Sequence, residues 1–171
     1  MWHAIADWLG IRTEKNMKIT EEMYWMGRDK EYPPSAEIVS NVRYLLPLVN
    51  AMLEEAEADG VDLSRKDQVT GMLVASGYRP PAINDRTSNS AKASTHLTGE
   101  GIDIQDTVNQ DLARWVLENI EVLNRLGLYA ENPRWTFSLA GDNWVHVQCR
   151  APKSGQIIFI PSSAPPRGPE L

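Results

Sequence analysis

An α+β domain, in which a small antiparallel sheet packs against helices, is the fold class this sequence predicts. Three observations carry the prediction. Apolar residues at helical spacing dominate residues 35–58, and short β-like runs cluster in the last third of the chain. The third is size: 171 residues with 42% hydrophobic content suffice for one buried core. The expected boundaries are an N-terminal segment over 1–16, a single domain over 17–161 and a proline-rich tail over 162–171.

Each element can be justified in order. Residues 1–16 can form a short helix with Trp2, Ile5 and Leu9 on one side, or a frayed end, since two turns bury little area. The "YPP" at 32–34 stops the chain, and Ser35 then serves as an N-cap. Ile38, Val39, Val42, Leu45, Leu46, Val49, Met52 and Leu53 form the apolar stripe of the strongest helix, which runs to about Ala58. Pro47 lies within it and removes one backbone donor, so a kink is expected there. "QVTGMLVASGYR" (68–79) reads as a buried strand running to a turn at Ser76-Gly77. From Pro80 to Thr95 no apolar period survives, and a loop of that length inside a domain points to function. "GIDIQD" alternates as a short strand. Leu112, Trp115, Val116, Ile120, Leu123 and Leu126 mark a second amphipathic helix, which Gly127 ends. "RWTFSL", "WVHVQC" and "QIIFI" are three further β-like runs.

Composition removes several function classes. Net charge is −6 and no block of lysine or arginine stands out, so nucleic acid is not an expected partner. No run approaches the ~18 apolar residues of a membrane helix, so no stable membrane insertion is expected. The start "MWHAIADWLGIRTEKN" lacks the basic segment and long apolar stretch of a secretory signal. The single cysteine, Cys149, excludes an internal disulfide and a four-cysteine zinc cluster. By strand alternation it faces away from His146 and reads as a small buried hydrophobe. A monomer is expected.

Chemistry concentrates in "STHLTGEGID" (94–103) and "WVHVQC" (144–149), which hold two of the three histidines. His96 and Asp103 flank Gly99 and Gly101, glycines that permit tight backbone geometry between them. Strand alternation sets His146 on one face with Trp144 and Gln148, and Val145, Val147 and Cys149 on the other. Taken alone, either histidine reads as an ordinary hydrogen-bonded side chain. Taken together, His96, Asp103 and His146 offer two imidazoles and one carboxylate. Three such ligands with a vacant fourth position are the arrangement of a catalytic zinc. The third histidine, His3, lies outside this pattern and reads as a surface residue.

The segments "SGYRPPAIN", "STHLTGEGID" and "WVHVQ" together resemble the zinc peptidases of peptidoglycan. These are the D-Ala-D-Ala carboxypeptidase and L-alanyl-D-glutamate endopeptidase group, which share the hedgehog-like DD-peptidase fold. Their Ser-x-His-x-x-Gly-x-x-x-Asp motif is matched by Ser94, His96, Gly99 and Asp103, and their later histidine by His146. Ser76, Gly77, Tyr78, Arg79 and Asn84 match the upstream turn. The stretch from Lys18 to Asn50 looks like the N-terminal part of phage-borne members, so the resemblance covers roughly residues 17 to 150.

The resemblance implies one Zn2+ per chain held by His96, Asp103 and His146, with a peptidoglycan stem peptide as substrate. Arg79 would hold a substrate carboxylate or the oxyanion through its planar fork. Ser94 would hydrogen-bond substrate or orient the His96 loop, and Trp144 would wall the cleft or cover the sheet. A phage endolysin is expected, made in the bacterial cytoplasm and reaching the wall once the membrane is permeabilised. The chain departs from the pattern at Asn143, where many members place a catalytic Glu or Asp three residues before the second histidine. Asp142, one residue earlier, is then the expected general base, brought to the metal by a bulge or turn entering the strand. Glu100 and Asp85 are lesser candidates, and a site with no base is a further reading. A zinc-binding module of the same fold that has lost catalysis therefore stands beside the hydrolase.

Overall fold

The computed structural model describes residues 17–87, 91–161 and 167–168. The expectation for residues 1–16, and His3 with it, lies outside the described residues, as does most of the tail. Two helices open the described chain. In α1 (Glu21–Trp25) the Thr20 hydroxyl caps Met23 N–H at 3.3 Å, and Tyr24 and Trp25 enter the core. In α2 (Ala36–Ala58) Ser35 caps Ile38 N–H at 3.3 Å, as expected. Val42, Leu45, Leu46, Val49, Met52 and Leu53 of the apolar stripe are buried, and the helix runs on through Pro47. Asn50, buried in that helix, satisfies its amide against both backbone groups of Ile19 and the Leu46 carbonyl.

The remaining elements are short: β1 (Val74–Ser76), α3 (Pro81–Asn84), α4 (Thr95–Thr98), β2 (Gly101–Gln105), α5 (Asp111–Glu118), α6 (Ile120–Leu126), β3 (Tyr129–Glu131), α7 (Pro133–Thr136), β4 (Trp144–Gln148) and β5 (Ile158–Phe159). The strands form one sheet in the order β1-β2-β4-β3-β5. Pairings β1/β2, β2/β4 and β3/β4 are antiparallel, whereas β5 adds parallel to β3. The sheet is therefore mixed rather than antiparallel throughout. The α+β class stands.

Four local expectations need correction. The strand foreseen over 68–79 contracts to Val74–Ser76, because Asp67 folds the preceding residues into a turn by accepting from the N–H groups of Val69 and Thr70. "RWTFSL" is not a strand: Asn132 caps Arg134 N–H at 3.1 Å and Pro133 opens the one-turn α7. The second amphipathic helix breaks at Asn119 (φ −122°, ψ 44°) into α5 and α6, although Gly127 does end it, at φ 69°. The loop over 80–95 contains α3. Strand β3 and helix α1 were not foreseen.

Ile102, Ile104, Val145 and Val147 join α2, α5 and α6 in one buried core. Alternation then sends Asp103 and His146 to the opposite face of the sheet. Among the described residues no helix is long and apolar enough to cross a membrane.

Candidate metal centre

Strand register builds the site. Asp103 of β2 lies directly opposite His146 of β4, in a ladder with no irregularity between Gly101 and Gln105. His96 arrives separately, from the single turn α4 that precedes β2. Ser94 caps that turn by accepting His96 N–H at 3.3 Å, and Gly99 closes it with φ 76°. A side chain at Gly99 would also meet the Ile38 carbonyl at 2.7 Å. Gly101 is excluded from carrying one by Thr95 Oγ1 and by His146 Cε1, the latter at 3.1 Å. The two glycines of the motif thus keep the backbone close enough for its ligands to meet.

Donor atoms of His96, Asp103 and His146 all lie within 4.8 Å of one another, and all three residues are at least nine-tenths buried. Their hydrogen bonds define the ring tautomers. His96 Nδ1 lies 2.8 Å from the Gly77 carbonyl, which can only accept, so Nδ1 carries the proton and Nε2 the lone pair. That Nε2 is buried, 3.2 Å from Asp103 Oδ1, and has no hydrogen-bond partner. At His146 both ring nitrogens face acceptors. Gln148 donates its Nε2 to the Arg150 carbonyl, which turns its Oε1 to His146 Nε2 at 3.2 Å. His146 Nδ1 lies 2.7 Å from Asp103 Oδ1, a carboxylate oxygen that can only accept, so in the metal-free chain Nδ1 donates to it. One imidazole lone pair, that of His96, and one imidazole N–H, that of His146, thus point at one carboxylate. With the His146 proton displaced, such a set could hold a cation.

Electrostatics agree in direction. Burial raises the Asp103 carboxyl, but the two neighbouring imidazole rings outweigh it and hold Asp103 far below the usual carboxylate range. Burial pushes His96 below the ordinary imidazole value despite Asp103. At His146 burial acts the same way, but the hydrogen bond and charge of Asp103 overcome it and the ring is raised. Metal binding requires an ionised carboxylate and neutral imidazoles, so only the His146 proton has to be displaced.

The remaining expected residues divide. Arg79 lies beside the triad: its N–H bonds the His96 carbonyl at 3.1 Å, and its Nη2 donates to Ser94 Oγ at 3.3 Å. Its Nε is buried without a partner. Burial lowers its pKa, while the charge of Asp103 acts the other way. Ser94 therefore both caps α4 and holds Arg79. Trp144 is half-buried at the start of β4, two residues from His146.

Asp142 is not brought to the metal ligands. Its carboxylate is 65% exposed and pairs with Arg65 Nη2 at 3.1 Å, in a cleft lined by Arg65, Lys66, Asp67 and Gln105. No bulge in β4 re-aims it, since β4 begins only at Trp144 and its ladder with β2 is regular. Asn143 is buried and locked in place, accepting from Ser138 N–H at 2.8 Å and donating to the Thr107 carbonyl at 3.0 Å. Glu100 is held by Arg150 Nη1 at 3.0 Å, and Asp85 is exposed. Cys149 is partly buried against the core, not fully buried.

The acid that the sequence reading missed is Glu131. Register pairs Tyr129 with Gln148 and Ala130 with Val147, so the next residue of β3 falls opposite His146. Burial pushes its carboxyl up to about 7, with Asp103 adding to the effect and His146, Arg167 and Arg79 opposing it. The clue available in the sequence was Gly127, a helix stop followed by the three residues Tyr129-Ala130-Glu131 in a strand-like alternation.

Compared with protein-family models, curated proteins and solved structures, the chain finds no match.

Proposed function

We propose that this chain is a zinc-dependent peptidase that hydrolyses an amide bond in the stem peptide of peptidoglycan, in the manner of a phage endolysin. The observation that carries the reading is the buried, unpartnered Nε2 of His96 facing the Asp103 carboxylate. Two hydrogen-bond acceptors do not stay buried face to face without a cation to reconcile them. His96 Nε2, His146 Nδ1 and the Asp103 carboxylate would hold one zinc ion. When bound, zinc supplies Lewis acidity toward the scissile carbonyl and lowers the pKa of water toward ~7.

The protein's own groups do the rest. Arg79, positioned by Ser94 and by its backbone bond to His96, keeps an unpartnered Nε and suits a substrate carboxylate or a developing oxyanion. Gly77 and Gln148 fix the two imidazole tautomers from behind. Whether the substrate end is a free terminal carboxylate or an internal bond separates carboxypeptidase from endopeptidase, and both fit these residues. The reading places the site of action at the bacterial wall, reached after membrane permeabilisation, with a monomer binding neither nucleic acid nor membrane.

A second reading has one observation in its favour. Asn143, at the position where the resembling peptidases place a base, and its neighbour Asp142 are both committed elsewhere. A zinc-binding module without catalysis would look the same there. Zymography on purified cell walls, with zinc content measured on the same sample, tests both. One zinc per chain with clearing that a chelator abolishes supports the peptidase. One zinc without clearing supports the module, and no zinc contradicts both. Mass spectrometry of the released fragments then identifies the bond.

A further inference from the structure

We infer that Glu131 is the general base of this site, the carboxylate that takes the proton from the attacking water; the inference rests on the peptidase reading above. It starts from register. Ser76, Asp103 and His146 are consecutive partners across β1, β2 and β4, and one further step in the β3/β4 register, beyond the pairs Tyr129–Gln148 and Ala130–Val147, sets Glu131 beside His146. Residues directly opposite in adjacent antiparallel strands carry their Cβ atoms roughly 4.5–5.5 Å apart on one face of the sheet. Glu131 and His146 therefore share a face, the one opposite the core.

Its surroundings suit the role. Glu131 is half-buried, yet its side chain makes no hydrogen bond or ion pair among the described residues. A carboxylate withdrawn from water without a partner is costly, and a purely structural acid would have acquired one, as Asp106 does from three backbone N–H groups. The remaining neighbours define an electrostatic enclosure: His146, Asp103, Arg79 and Arg167 all act on it. Phe159 follows it in the row on β5 and stands edge-on to His146 with centroids 6.4 Å apart, an apolar wall on that side.

Glu131 is not one of the three residues whose donor atoms meet within 4.8 Å. Its place in the row, beside His146 but outside that cluster, suits a carboxylate that would act on a water rather than as a ligand. The other acids offer no competitor: Asp142 pairs with Arg65, Glu100 with Arg150, and Asp85 is exposed. The base thus comes from a neighbouring strand, not from the strand of the second histidine.

The step balances. As the water oxygen forms its bond to the amide carbon, Glu131 accepts one proton from that water. As the C–N bond breaks, the nitrogen takes the bonding pair and Glu131 returns the proton to it. Amide and water become carboxylic acid and amine, and Glu131 ends as it began.

The test uses the full chain carrying Glu131→Gln, which keeps shape and removes basicity, beside Glu131→Asp. Zinc content, zinc affinity by chelator competition, melting temperature and turnover on purified walls are measured for each. The expected result is one zinc per chain and unchanged affinity in Glu131→Gln, with turnover lowered about 10²–10⁴-fold. Glu131→Asp should recover at least part of that loss. Turnover of Glu131→Gln within threefold of the parent chain overturns the assignment. Loss of zinc from Glu131→Gln also overturns it, since the residue would then be a ligand. A parent chain that binds zinc but clears no wall is a different failure: it removes the peptidase reading and this inference with it.

Discussion

At the scale of single residues, the site depends on which ring nitrogen carries each proton. Gln148 sets that choice for His146, and its own amide is oriented by the Arg150 carbonyl. Replacing Gln148 with Leu should weaken zinc binding by about 10–100-fold without unfolding the chain, measured by chelator competition. Binding should also depend on pH in a direction the structure defines. His146 is raised above 6.5 in the metal-free chain, so a proton competes with zinc before the ordinary imidazole range is reached on acidification. Affinity should fall as pH is lowered, starting above 6.5. The sign for stability is opposite. A raised histidine stabilises the metal-free fold below its unfolded pKa, and that contribution fades as pH rises through the folded value. The triad was legible in sequence because imidazoles and a carboxylate on glycine-spaced positions have few other joint uses. Glu131, the base inferred above, was not, since nearness to His146 along the chain suggested Asp142 whereas the sheet brings in Glu131 from fifteen positions upstream.

At the scale of elements, the site strands depend on how their flanks are tied down. Asp106 follows β2 and accepts from Thr107, Leu112 and Ala113 N–H at 2.8, 3.0 and 3.0 Å, capping the start of α5. Gln110 at the N-cap position contributes no side-chain bond and sits at φ 57°, so Asp106 replaces it in that role. Asp106→Ala should destabilise the chain by about 2–3 kcal/mol in chemical denaturation, and Asp106→Asn by less. Long periodic elements were readable: the stripe from Val42 to Leu53 identified α2, and Gly127 the end of α6. Short ones were not. A three-residue strand such as β3 shows too little alternation to register, and "RWTFSL" has β-forming residues that Pro133 and the Asn132 cap override.

For the whole molecule, the sheet separates two jobs. One face carries the apolar residues Ile102, Ile104, Val145 and Val147 into a core shared with α1, α2, α5 and α6, and the other carries the polar row. Helix α1 ties the two together. Tyr24 from the core donates to the Gly101 carbonyl at 3.0 Å, and Arg28 Nη1 donates to the Tyr78 carbonyl at 2.6 Å beside the turn that orients His96. A metal that binds only the folded state therefore stabilises all of it by mass action, about 4 kcal/mol at a thousandfold excess over Kd. Chelation should lower the melting temperature by on the order of 10 °C in a chain of this size, read by calorimetry with and without zinc.

The central claim is that His96, Asp103 and His146 close on one ion. X-ray absorption at the zinc edge of the zinc-loaded chain tests it most directly. The account predicts a first shell of nitrogen and oxygen at about 2.0–2.2 Å with the outer scattering of two imidazoles and no sulfur. A sulfur ligand from Cys149, or a shell of oxygen alone without imidazole, would contradict it.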